Sequence, residues 1–184
     1  MSIAAGEFTL SSGDDAVHCD NALTIQSGTF TIPYCYEGIE GLSVTVNAGS
    51  YTITSYDDGI NTAGGTDGSG FGGIRQDQFA SGSDSSLIIN GGDFTIVSSG
   101  DCLDSNGDLT INGGTLQLTC NGSGNTAIDA DGSYTNNGGD VTTNDGSESG
   151  SGFGAGGGMN GGGSRGGAGK MAGGTGGLSG ETAS

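Results

Sequence analysis

Tryptophan is absent from this chain of 184 residues, proline and histidine each occur once (Pro33, His18), and only Arg75, Arg165 and Lys170 are basic. Each shortage excludes something. Against 21 acidic residues the three basic ones leave a formal net charge of -18, which repels phosphate backbones and anionic lipid surfaces, so neither is expected as a direct partner. No Arg or Lys stands in the regular part of the sequence to hold an acidic sugar or to abstract a proton, which argues against an eliminating enzyme. The lone histidine has no Ser or Cys partner suggested by spacing, so no nucleophilic triad is indicated. It reads as a surface group or a neighbour of a cation site.

Long apolar runs are also missing, so no transmembrane segment is expected. The first residues show no charged and apolar leader, which leaves a cytoplasmic chain and a processed secreted chain both open. The four cysteines, Cys19, Cys35, Cys102 and Cys120, include no C-x-x-C pair and fall in different columns of the repeat described below. They make neither a disulfide scaffold nor a zinc site; Cys102 reads as a packed thiol, with one disulfide left open. Helical periodicity is nearly absent, and the 43 glycines make helix a poor expectation.

What is present is a repeat. Asp15-Ala16-Val17-His18 recurs in kind as Glu37-Gly38-Ile39-Glu40, Asp58-Gly59-Ile60-Asn61, Asp101-Cys102-Leu103-Asp104 and Thr126-Ala127-Ile128-Asp129. Between copies lie two short runs with apolar residues at every second position, joined at glycine, such as Leu109-Thr110-Ile111-Asn112, Gly113-Gly114 and Thr115-Leu116-Gln117-Leu118. Such alternation marks strands with one buried face. Phe8, Phe30, Tyr51, Phe94, Leu116 and Val141 form one column with separations of 22, 21, 43, 22 and 25; Val17, Ile39, Ile60, Leu103 and Ile128 form another with separations of 22, 21, 43 and 25. A period near 22 residues holding three short strands predicts a parallel β-helix of about six rungs, an all-β solenoid in which stacked rungs share a core that no single rung could bury.

The expected domain is 1–145, with a first rung lacking its leading strand and a sixth, degenerate rung over 134–144. Residues 64–86 contain neither paired strands nor an aliphatic at the right offset, and read as a long insertion loop whose Phe71 and Arg75 could form a carbohydrate-facing lip. Residues 146–184 read as a flexible glycine-rich tail.

Chemistry concentrates in two columns. His18, Glu40, Asn61, Asp104 and Asp129 follow the inward aliphatics and are expected outside. Asp15, Glu37, Asp58 and Asp101, with Asp14 and Asp57 beside them, line the preceding corner, and Asp131 lies two residues beyond Asp129. Like charges stacked at rung spacing are costly unless paired, protonated or bridged. Calcium is the natural bridge, because it takes six to eight oxygens of mixed type; turn capping by the aspartates is the alternative. Tyr34, Tyr36 and Tyr56 near one corner are either aromatic platforms for a glycan or a supporting stack.

The phrases D-D-A-V-H, Y-E-G-I-E-G, D-D-G-I-N, L-I-I-N-G-G-D-F-T-I, D-C-L-D-S-N-G-D-L-T-I-N-G-G-T and A-I-D-A-D-G resemble a bacterial family of secreted carbohydrate-binding β-helix proteins over about 6–144. That resemblance implies a right-handed coil like that of pectate lyases but without catalysis. It also implies calcium near Asp14, Asp15, Glu37, Glu40, Asp57, Asp58, Asp101 and Asp104, and acidic pectin-like or cellulose-like polysaccharide as partner. A secreted or cell-surface location follows from it. Cys102, Tyr36 and the glycine-rich insertion depart from the family pattern. Two other readings remain: a structural subunit stacking end to end, or through its tail, into an extracellular fibre, and, more weakly, a glycoside hydrolase using paired carboxylates such as Asp14-Asp15 and Asp57-Asp58.

Overall fold

The computed structural model describes residues 1–63 and 85–150. Phe71, Arg75 and most of the expected insertion and tail lie outside these residues. The described chain is all strand apart from one 3-10 turn at Ser147–Ser149. The strands are β1 (Ser2–Ile3), β2 (Glu7–Ser11), β3 (Val17–Ile25), β4 (Thr29–Tyr34), β5 (Ile39–Val46), β6 (Ser50–Thr54) and β7 (Ile60–Thr62). Beyond the insertion come β8 (Ser86–Ile89), β9 (Asp93–Ser98), β10 (Leu103–Ser105), β11 (Asp108–Ile111), β12 (Thr115–Cys120), β13 (Ile128–Ala130), β14 (Tyr134–Asn136) and β15 (Asp140–Thr143).

Every ladder is parallel. One six-stranded sheet runs β15-β12-β9-β6-β4-β2, and the remaining nine strands form a second sheet. That second sheet is two ladders fused, because β3 and β5 each continue through a corner that is broken by a turn in later rungs. The chain therefore winds as a β-solenoid of about six turns, as the periodicity predicts. β5 pairs directly with β8, matching Val44 with Leu87 and Val46 with Ile89. The rungs on either side of residues 64–84 are therefore direct neighbours in the coil.

Register places the predicted columns as expected. Phe8, Phe30, Tyr51, Phe94, Leu116 and Val141 are successive Cα partners. Their rings stack down the axis, with centroids 4.6 Å apart for Phe8 and Phe30, 5.1 Å for Phe30 and Tyr51, and 4.5 Å for Tyr51 and Phe94. Tyr51 can join this interior row because its hydroxyl donates to the Ala48 carbonyl at 2.8 Å, so no polar atom is stranded. The glycine before each such strand is required sterically: Gly49 has φ 127°, and a Cβ there would lie 2.6 Å from the Gly28 carbonyl of the rung below.

The structure corrects several details. The first rung does possess a leading strand, since β1 pairs with Thr24 and Ile25; two residues are too short for alternation to reveal. Ser86, expected in the insertion, opens β8. The cysteines are all free, with Cys35, Cys102 and Cys120 buried and Cys19 half-buried. Cys102 packs in the position held by Gly38, Gly59 and Ala127 in other rungs, its Sγ 3.1 Å from Ser98 Oγ.

One element has no counterpart in the sequence reading. At the corner entering the six-stranded sheet, side-chain amides bond from rung to rung: Asn47 donates to Gln26, Asn90 to Asn47, Asn112 to Asn90 and Asn137 to Asn112, at 2.7 to 2.8 Å. Each Asn stands beside a turn where solvent would otherwise compete for the backbone, and each satisfies the next.

Candidate functional site

The corner leaving the six-stranded sheet carries the acids. Backbone bonds hold its rungs in step, from the Ala16 N–H to the Glu37 carbonyl at 3.0 Å, Gly38 to Asp58 at 3.0 Å and Gly59 to Asp101 at 2.9 Å. Three residues further along each rung, His18, Glu40, Asn61, Asp104 and Asp129 are successive Cα partners. Both predicted columns therefore exist and run side by side. The expectation that the second is exposed holds for His18 and Asp129 but fails for Glu40 and Asn61, which are 6% and 1% exposed. They bond along the axis rather than into water, Asn61 donating from Nδ2 to Glu37 Oε2 at 3.1 Å.

Two groups form within these columns. Asp101, Asp104 and Asp129 bring carboxylate oxygens within 4.8 Å of one another, and Asp15, His18 and Glu40 do the same with one ring nitrogen. Asp58 joins the first group from the rung below, its Oδ1 accepting the Asp101 N–H at 2.6 Å. The chain passes close there because residue 100 is glycine: a Cβ on it would strike the Asp57 and Asp58 carboxylates. Asp14 and Asp131 stay exposed, Asp57 is half-buried, and none belongs to either three-residue group.

Electrostatics set the first group apart. Burial raises the Asp58 carboxyl well above its ordinary value, with Asp104, Asp57 and Asp101 adding repulsion. Asp104 is raised likewise by burial and by Asp101, Asp129 and Asp131. Burial pushes Asp101 to about 7 although it accepts the Thr126 N–H, and raises Asp129 as well. Carboxylates that repel one another in a partly shielded corner favour either a proton or a cation among them. Asn61 adds a neutral oxygen: its Oδ1 is buried and accepts no hydrogen bond. Nδ2 is taken by Glu37 of the preceding rung, and Asn61 is the Cα partner of Asp104 in the next.

The second group is already balanced. His18 Nδ1 faces Glu40 in a close contact and Asp15 at 3.3 Å, while Nε2 lies 3.1 Å from Asp20. Burial pulls the imidazole down, but Asp20, Glu40 and Asp15 together outweigh it and hold its pKa at about 9. Protonated His18 supplies there the positive charge that the first group lacks. Asp20 was missed by sequence reasoning; its only signal is the i, i+2 spacing from His18 that puts two side chains on one face of a strand.

Of the aromatic candidates, Tyr34 and Tyr56 are 53% and 62% exposed at the far margin of the six-stranded sheet. Tyr36 is half-buried, its ring tilted 30° against Tyr56 with centroids 6.0 Å apart.

The fold and this corner define a parallel β-solenoid with an oxygen-rich, charge-dense edge and, among the described residues, no Arg or Lys. Residues 43–124 match the model of a protein family described as "Carbohydrate-binding domain-containing protein". The match runs from β5 to the turn beyond β12, takes in Asp57, Asp58, Asp101 and Asp104, and supports carbohydrate binding by these rungs. No curated protein and no solved structure matches the chain.

Proposed function

We propose that the chain is a non-catalytic, calcium-dependent polysaccharide-binding protein that works in secreted form or at the cell surface. Its ligands are acidic, pectin-like or cellulose-like glycans. The observation that carries this reading is the Asp101, Asp104 and Asp129 group, together with Asn61, the Cα partner of Asp104, whose buried Oδ1 accepts no hydrogen bond. Carboxylates plus a neutral amide oxygen, with no sulfur or imidazole among them, suit a hard cation such as calcium. Calcium held by Asp101, Asp104 and Asp129, with Asp58 adjoining, would supply a positive centre that uronate carboxylates can approach on a chain of net charge -18. The tyrosine pair at the same end of the six-stranded sheet offers ring faces to sugar. A non-catalytic role is favoured because the acids are committed to one another rather than placed as two separated carboxylates with differing environments.

Calorimetric titration of chelator-stripped protein with calcium, alone and with polygalacturonate, tests the proposal. Calcium affinity that rises in the presence of the glycan is the expected result. Absence of calcium binding under both conditions would reduce the acidic columns to turn caps and remove the calcium-dependent mechanism.

A further inference from the structure

Outward from the aromatic row, the six-stranded sheet presents a column that the acidic corner does not involve. Its members are Thr9, Thr31, Thr52, Thr95, Gln117 and Thr142, successive partners across the six strands. All six are exposed, and none is charged. The outward column of the other sheet, Ser2, Thr24, Thr45, Ile88, Thr110 and Thr135, is also uncharged but mostly half-buried, so what sets this column apart is exposure at every strand. Parallel strands about 4.8 Å apart make the column about 24 Å long over five steps. Threonine side chains are stiff at χ1, so a hydroxyl and a methyl are held in place at each Thr rung with little freedom left to lose on contact. Each hydroxyl both donates and accepts. The rings of Phe8, Phe30, Tyr51 and Phe94 stack on the inner side of the same strands, so the face rests on close-packed aromatics.

We propose that this face is a second glycan-docking surface, specific for a neutral polysaccharide presented as extended, side-by-side chains, and independent of calcium. The proposal rests on the carbohydrate-binding reading but not on the cation site. Charge selects the ligand: the column two residues earlier carries Glu7, Asp93 and Asp140 among Thr29, Ser50 and Thr115, so uronates are repelled where sugars bearing only hydroxyls are not. Shape selects it further. The register is unbroken from β4 through β15, with the single irregularity of this sheet between Thr9 and Ser11. A regular face of this kind contacts one side of a chain only, and gains affinity when it meets many parallel chains at once. Tyr34 and Tyr56 stand exposed at its margin and would add ring contacts. The solenoid then carries two surfaces of opposite preference, one able to hold acidic glycan through a cation and one for neutral glycan.

The test is depletion of the protein by insoluble microcrystalline cellulose in chelator, compared with a Thr52→Arg, Thr95→Arg double variant and with Thr110→Arg on another face. Polygalacturonate titration with calcium is run on all three, and thermal unfolding verifies the fold. Expected are cellulose binding that persists in chelator, a loss of about tenfold or more in the double variant, and no change in Thr110→Arg or in calcium-dependent polygalacturonate binding. Cellulose binding that requires calcium, or that survives the double variant, overturns the proposal while leaving the calcium-dependent reading intact. If the unaltered protein binds neither glycan, both readings fail. A dimer that the double variant dissociates, with no cellulose binding, reassigns the face to a second copy of the chain.

Discussion

Asp101 shows in one residue how the acidic corner ties stability to pH. Burial and the neighbouring Asp129, Asp57 and Asp145 raise its carboxyl to about 7, against a single bond from the Thr126 N–H. An unfolded aspartate titrates near about 3.9, so the folded state holds its proton more tightly, and stability falls as pH rises between those values. Asp58 and Asp104 act in the same direction. His18 adds to it: with its folded value raised to about 9, its contribution is complete below about 6.5 and is lost as pH climbs through 9. Calcium-free protein is therefore expected to unfold at progressively lower temperature from pH 5 to pH 9, the reverse of ordinary acid denaturation, and excess calcium should flatten the profile. Thermal melts in chelator across that range check this; a flat profile in chelator counts against the buried acid cluster. Asp104→Asn removes one repelling charge, so it should raise the melting temperature in chelator at pH 8 while weakening calcium binding at least about tenfold. A variant that lost both stability and calcium affinity would point to Asp104 as a structural cap instead.

The amide ladder belongs to the scale of the element. Asn90 both donates to Asn47 and accepts from Asn112, so Asn90→Ala breaks two bonds and leaves two partners to solvent. Because the ladder is mostly exposed, water recovers part of the loss, and a cost of about 1 to 2 kcal/mol is expected in urea unfolding. Gln26→Ala, at the ladder's end with one bond, should cost roughly half as much, and equal costs would mean that the side-chain amides are not acting as a chain. This ladder also marks where sequence reasoning stops. Period-2 alternation exposes which side chains face inward, and Phe30, Tyr51 and Phe94 could be aligned from spacing alone because each sits at the same offset from a glycine. Asn47, Asn90 and Asn112 share that offset too, but a bond between polar residues 22 or 43 positions apart depends on rotamer and register together, which no local pattern encodes. The same limit explains Glu40 and Asn61: alternation put them on the outer side of the strand, and only bonding along the axis buries them. The five-copy repeat made both acidic columns legible, whereas their division into a self-neutralised His18 group and an uncompensated Asp101 group depends on which polar residue each rung carries.

For the whole molecule, the question is what happens at the ends of a solenoid, where unpaired strand groups invite another copy. The last rungs answer it with side chains. Asp145 Oδ2 accepts the Ala127 N–H at 2.7 Å, and Ser147 Oγ accepts the Ile128 N–H at 3.1 Å. Asn144 binds Cys120 both ways, Oδ1 accepting its N–H at 3.0 Å and Nδ2 donating to its carbonyl at 2.8 Å. Backbone groups at the edge of β13, and those of Cys120 past the β12–β15 ladder, are thus occupied where the coil fades, and the Ser147 turn covers the end of the Ile128 column, while β14 and β15 are the terminal strands of their sheets. Such occupation disfavours head-to-tail stacking at this corner of the last rung. Sedimentation of the free protein is expected to show no concentration-dependent polymer. Replacing Asn144, Asp145 and Ser147 together by alanine frees those backbone groups, which then require partners, so the triple variant should associate with rising concentration or lose stability in its last rungs. Long polymers from the unaltered protein would instead show that these caps do not close the end, and would restore the fibre reading ahead of the glycan binder.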